Sequence, residues 1–307
     1  MKWAALFPGQ GSQYVGMGKA LADIPAARRV FDEAEDVLGY RLRAVLWEGP
    51  ESRLVDTEVQ QPAILTVSVA AWRALDPPDP VAAVGLSLGE YSALVASGLL
   101  PFGDAVRVTR LRGHLMQTAV PAGVGGMTAV LGLDAGTVEH LAVAAQTAGW
   151  VEPANYNAPG QLVVSGTLAG LEALEAQARA RGARVVRLPV SAPFHSRLLA
   201  PAEQPLAAAL AEVEWAARGR FPVLANVDAQ AVWTADEAVP RLVAQVSHPV
   251  RLEAGLHRLV QDGAQGFLEC GPGHAMSALI KRVQRRVAVH AVEDPAGFAA
   301  ALELVTS

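Results

Sequence analysis

A single cysteine, Cys270, stands in the 307 residues. It excludes an internal disulfide and every zinc or iron–sulfur pattern that needs several thiolates. A reducing compartment suits such a chain, so a cytoplasmic location is expected. Excess positive charge is also missing: 25 Lys and Arg against 30 Asp and Glu give a net charge of −5. No overall basic field is available to attract a phosphate backbone, and nucleic acid is not an expected partner. Long apolar runs are absent too. Trp3 to Phe7 ends at Pro8 and Gly9, and the stretch from Pro62 to Trp72 contains Thr66 and Ser68 and falls far short of a membrane span. Neither export nor membrane insertion is expected. What the chain does have is core material, 51% hydrophobic against 18% charged, which argues for a folded protein. Its length suits one large domain with an insert.

Two short apolar runs ending in or near glycine, Trp3 to Phe7 and Val81 to Gly85, lack the alternation of a strand with one wet face. They read as buried parallel strands. Helical stretches follow, at Ala63 to Leu75 and Tyr91 to Gly98, so the beginning of the chain has α/β character. From Met127 the rhythm changes to strand (Met127 to Leu131), helix (Ala135 to Ala148), strand (Trp150 to Asn155), strand (Gln161 to Ser165), helix (Leu168 to Arg181) and strand (Arg184 to Pro189). That βαββαβ order is the ferredoxin-like unit. The expected architecture is therefore a discontinuous α/β domain, residues 1–123 and 191–307, with a ferredoxin-like subdomain inserted at 124–190. Phe221 to Asn226 and Gly266 to Cys270 supply further short strands of the larger part.

Gly85-Leu86-Ser87-Leu88-Gly89 follows an expected strand and opens an expected helix. In that context Gly-x-Ser-x-Gly is a sharp turn whose small flanks lift a serine hydroxyl above the sheet. Amide N–H groups at the helix start can hold a developing oxyanion. A serine nucleophile needs a base, and seven histidines are available: His114, His140, His195, His248, His257, His274 and His290. His195 follows an expected strand end, in Ala192-Pro193-Phe194-His195-Ser196. His248 and His274 also lie near turns, and spacing leaves all three open.

On a helix from Asp104 to Val120 drawn at about 100° per residue, with Val108 at zero, Ala119 falls at about 20°, Leu115 at about 340° and Met116 at about 80°. Arg112 falls at about 40°, inside that apolar face, whereas Arg107 at about 260° and Arg110 at about 200° point away. A buried guanidinium cannot shed its proton and requires an anion or several acceptors. Either a protein carboxylate or a substrate carboxylate meets that need. Gly9-Gln10-Gly11-Ser12-Gln13 after the first strand has neither the third glycine of a dinucleotide loop nor a Gly-Lys-Ser/Thr ending. Its amides suit a second oxyanion donor better than a phosphate. No His-Glu-x-x-His occurs, so no metal is expected.

Several blocks together resemble the malonyl-CoA:acyl carrier protein transacylases of bacterial fatty acid synthesis and the related polyketide acyltransferases. They are Phe7 to Met17, Gly85 to Glu90, Arg112 to Gln117, Asn155 to Gln161, Ala192 to Ser196, Gln245 to Val250 and Gly271 to Gly273, in that order and spanning nearly the whole chain. The resemblance implies a hydrolase-like α/β core with a ferredoxin-like insert. It implies Ser87 as nucleophile, His195 as base, and the N–H groups of Leu88 and Gln10 as oxyanion donors. Arg112 would bind the malonyl carboxylate, and Gln245, by main chain or side chain, would orient the histidine in place of a triad acid. Phe194 resembles the malonyl-type pattern, a small Ser at that position accompanying branched acyl groups. Most members carry His before the nucleophile; here Leu86 changes the polarity of the pocket wall. The implied partners are malonyl-CoA and an acyl carrier protein, with no cofactor and a monomeric enzyme. Lys281, Arg282, Arg285 and Arg286 form a candidate docking patch or simply a solvated helix end. Two other readings are a serine esterase, whose late histidine would be His290, and a non-catalytic carrier-binding subunit.

Overall fold

The computed structural model describes residues 1–190 and 192–306. Ten strands run in chain order: β1 (Trp3–Phe7), β2 (Ala83–Gly85), β3 (Gly125–Leu131), β4 (Val151–Ala158), β5 (Gln161–Thr167), β6 (Arg184–Arg187), β7 (Val223–Leu224), β8 (Ala231–Val232), β9 (Gly266–Cys270) and β10 (Ala288–Val292). They form two sheets. The larger has the order β10-β9-β1-β2-β7-β8 and is parallel except for the β7–β8 pair. All five residues of β1 are buried. Trp3, Ala5 and Phe7 enter one apolar cluster, while Ala4 and Leu6 enter the cluster on the opposite face. Burial on both faces is why the strand carries no polar alternation.

The smaller sheet, β4-β5-β3-β6, is antiparallel and has the strand order of a ferredoxin-like unit. Val130, Leu162 and Val164 pack with Leu141, Leu171 and Leu174 under the helices Ala135–Ala145 and Leu168–Ala180. Met127 and Val163, one residue out of phase, join the large core instead. The edge strand β4 is tied to the larger part: Tyr156 donates its N–H to Val250 O at 2.8 Å, and Val250 donates back to Ala154 O at 2.8 Å. The expected insert boundary at 191 falls on Ser191, which lies outside the described residues.

Several expected elements differ in extent, and two of the differences bear on the site. The strand expected over Phe221 to Asn226 is only Val223–Leu224, which leaves Asn226 in the turn beyond it. The helix expected from Ala63 starts at Thr57, where the Asp56 side chain accepts the Glu58 N–H at 3.2 Å. Pro62 lies inside it and removes one backbone donor. Those extra residues carry Gln60 and Gln61 into the site.

Candidate active site

The turn after β2 is built on the absence of side chains. A Cβ at Gly85 would lie 1.9 Å from the carbonyl carbon of Gly89, and one at Gly89 would lie 2.3 Å from Phe7 O. Between them Ser87 adopts φ 52° and ψ −102°, a conformation that costs a non-glycine residue about 1–3 kcal/mol. The Asn226 side chain holds it there, accepting from Ser87 N–H at 2.7 Å and donating to Gly85 O at 2.7 Å.

His195 reaches the serine. Its Nε2 lies 2.7 Å from Ser87 Oγ and its Nδ1 lies 2.7 Å from the Gln245 carbonyl oxygen. A carbonyl can only accept, so Nδ1 carries the proton and Nε2 is free to accept from the serine hydroxyl. The ring is buried, and desolvation, reinforced by the nearby Arg112 charge, pushes its pKa down to about 3. It is therefore a neutral imidazole at physiological pH, oriented by a carbonyl rather than by a triad acid. His195 also has a positive φ of 56°. Its loop is pinned to the small sheet by the hydroxyl of Ser165, which donates to Phe194 O.

The other six histidines are all exposed. His248 Nδ1 lies 3.0 Å from Ala244 O, on the helix that ends at Gln245 just before it, and His274 faces Glu293 at 3.6 Å. His290 lies on the edge strand β10, paired with Leu268 rather than near Ser87. The late-histidine arrangement of an esterase is thus absent from this site.

Arg112 is fully buried on the helix Phe102–Thr118, as its angular position requires, and Arg107 is exposed. Its guanidinium donates to Gln61 Oε1 at 2.7 Å, Gln245 Oε1 at 2.7 Å and Ser87 Oγ at 3.0 Å. The Tyr91 ring lies 5.4 Å away. Among the described residues no carboxylate forms an ion pair with it, so the protein-salt-bridge alternative is not realised. Ser87 Oγ thus stands between a base and an unpaired cation.

Gln245 uses both ends. Besides its carbonyl on His195 and Oε1 on Arg112, its Nε2 donates to Glu90 at 2.7 Å and to Ser87 O at 3.0 Å. Ser87, His195, Gln10, Leu86, Phe194 and Met127 lie among the residues lining a cavity of ≈ 570 Å³. Arg112 lies behind Ser87 and meets the cavity only through it. The amides of Leu88 and Gln10 find no carbonyl partner among the described residues, which leaves both available to an oxyanion. The Gln10 side chain is tied to Gln60. Lys281, Arg282, Arg285 and Arg286 are all exposed, and none lines the cavity. Among the described residues, no group of three or more His, Cys, Asp or Glu could hold a metal, and no helix is long and apolar enough to cross a membrane.

Residues 5–297 match the family described as the acyl transferase domain. The chain belongs to that acyl transferase family. Over 299 residues it is 43% identical to a malonyl CoA-acyl carrier protein transacylase of Bacillus subtilis, covering 96% of this chain and 94% of the relative. An acyl-carrier-protein S-malonyltransferase of Burkholderia pseudomallei superposes with a TM-score of 0.97 at 42% identity, covering 99% and 100%. A malonyl-transacylase solved with a type II polyketide-synthase acyl-carrier protein superposes at 0.95 and 40% identity, covering 99% of each chain. The two-sheet architecture of this acyl transferase is thus that of solved malonyltransferases.

Residue-by-residue reading missed Gln61, Asn226 and Glu90, three buried polar groups behind the nucleophile. Glu90 had a signal: a carboxylate one turn after Ser87 on an otherwise apolar helix, Leu88–Ala96. Asn226 had none, because its role depends on a strand ending two residues earlier.

Proposed function

We propose that this acyl transferase moves a malonyl group from malonyl-CoA to the phosphopantetheine thiol of an acyl carrier protein, in fatty acid or polyketide synthesis, through an acyl-serine intermediate. The observation that carries the reading is the single hydroxyl of Ser87, hydrogen-bonded at once to His195 Nε2 and to an Arg112 that has no protein carboxylate. His195 takes the serine proton as Oγ attacks the thioester carbonyl, and the Leu88 and Gln10 amides receive the oxyanion. The imidazolium returns its proton to the departing CoA sulfur. Arg112 Nη2 releases Ser87 Oγ and pairs with the distal carboxylate, a bidentate contact open to malonyl and not to acetyl. The carrier thiol then repeats the cycle in reverse, giving its proton to His195 and taking the acyl group from Ser87.

Phe194, Leu86 and Met127 form the apolar wall beside the acyl group. No metal or redox group is needed for the electron count of acyl exchange. We divide the chain into a catalytic part, 1–123 and 191–307, and an inserted 124–190; the separation into two sheets and the separate cluster under the small one support this. The enzyme acts in the cytoplasm as a monomer. Labelled malonyl-CoA with and without carrier protein tests the reading: an adduct stable in buffer and discharged by holo carrier protein is expected. Rapid loss to water would make it an esterase, and no adduct would make it a scaffold.

A further inference from the structure

The guanidinium of Arg112 is a buried charge whose three hydrogen-bond partners, Gln61, Gln245 and Ser87, are all neutral. Left alone, such a charge is costly. The carboxylate whose field acts on it is Glu90, with the Tyr91 hydroxyl on the same helix. Glu90 is buried, and one oxygen, Oε2, accepts from Gln245 Nε2 at 2.7 Å and from Asn226 N–H at 3.0 Å. A carboxylate can only accept, so it dictates which end of the Gln245 amide faces it. The NH₂ must point to Glu90, and Oε1 is thereby left for Arg112. The opposite orientation would set the amide NH₂ against the guanidinium, donor to donor.

We propose that Glu90 is a positioning residue, which fixes the Gln245 amide so that Arg112 is held, and supplies that arginine's counter-charge at one remove. This rests on the reading in which Arg112 takes the malonyl carboxylate. By the same relay Glu90 also steadies Asn226, which holds the strained backbone of Ser87. Burial raises the Glu90 carboxyl to about 7, against the pull of its hydrogen bonds and Arg112, so its charge changes within a workable pH range. The ionisable groups around it are Arg112, Tyr91 and, farther off, Asp228.

Acylation rates of Ser87 by malonyl-CoA and acetyl-CoA, measured across pH on wild type, Glu90→Gln, Glu90→Ala and Arg112→Ala, test the assignment. Glu90→Gln keeps the shape but removes the charge, leaving the carbonyl of Ser87 and the Asn226 side chain as the other acceptors that hold Gln245 Nε2. It should lower the malonyl-to-acetyl ratio about tenfold or more, as expected when a hydrogen bond to a charged group is lost. It should also remove an ionisation near neutral pH from the malonyl profile. Equal losses for both substrates, or an unchanged ratio and profile, would overturn the proposal. Should Glu90→Ala fail to fold, Glu90→Gln alone decides. If Arg112→Ala retains the malonyl preference, the parent reading falls and Glu90 with it; if only Glu90→Gln retains it, Glu90 alone falls.

Discussion

In the larger sheet β1 sends Trp3, Ala5 and Phe7 to one covered face and Ala4 and Leu6 to the other, whereas in the smaller sheet Val130, Leu162 and Val164 pack under helices while Met127 and Val163 turn toward the cavity. The first arrangement leaves only strand ends free to carry chemistry. Gln10 follows β1, Ser87 follows β2 and Asn226 follows β7, each on a turn whose strand is locked on both sides. The smaller sheet contributes surface: an apolar wall, and the Ser165 anchor for the His195 loop. The nucleophile and its oxyanion donors thus follow strands of the larger sheet, the base His195 comes on the loop after β6 of the smaller one, and both sheets shape the acyl pocket.

That division can be broken at its strongest point first. Ser87→Ala should abolish the malonyl adduct, read by intact-protein mass spectrometry, while leaving the melting temperature near wild type. An adduct that persisted would move the nucleophile elsewhere. His195→Ala should slow acylation by a factor on the order of 10² or more, the contribution of a positioned base. The same loss on His248→Ala or His274→Ala, with His195→Ala unaffected, would contradict the assignment.

The wall should have a smaller effect. Phe194 and Met127 line the cavity, and if their bulk faces the acyl α-carbon, kcat/KM should favour malonyl over methylmalonyl thioester by roughly 10 to 200-fold. Phe194→Ser should narrow that gap without touching the Ser87 adduct. Equal kcat/KM for the two thioesters in wild type would remove the wall from the account.

The smallest effect separates two buried groups within the core. Unfolded, His195 takes a proton near pH 6.5 that the folded site refuses until about 3, so acid costs stability. Glu90 behaves oppositely: the fold keeps its proton up to about 7, while the unfolded chain releases it above 4.5, so the same acidification returns stability. Between pH 6.5 and 4.5 the slopes, each about 1.4 kcal/mol per pH unit, offset one another. Glu90→Gln should unmask the histidine. Its stability to denaturant should fall, on acidification through that window, by about 1.4 kcal/mol per pH unit more than wild type does. Identical slopes would contradict the burial of Glu90.

Much of this was legible in residue order. An apolar run without alternation located β1 to the residue and overshot the start of β2 by two, the strand expected at Gly266 to Cys270 is β9, and the change of rhythm at Met127 gave the βαββαβ insert. The helical angle of Arg112 marked its burial before any contact was known. Choosing His195 over His248 and His274 was different, because distance along the chain says nothing about distance across a sheet; only burial and the 2.7 Å approach to Ser87 separate them. Gln61 and Asn226 were illegible for a related reason. Each is an ordinary amide until a helix begins at Thr57 rather than Ala63, or a strand stops at Leu224 rather than Asn226.

The central claim is that the buried cation of the core selects the acyl group. Arg112→Ala, assayed for kcat/KM with malonyl-CoA and with acetyl-CoA beside a thermal melt, tests it most directly. The account predicts a severe loss with malonyl-CoA, little loss or a gain with acetyl-CoA, and a fold that persists. A loss of about 3–5 kcal/mol in stability, with an unchanged malonyl-to-acetyl ratio, is what removing one partner of a buried structural pair would produce, and it would contradict the account.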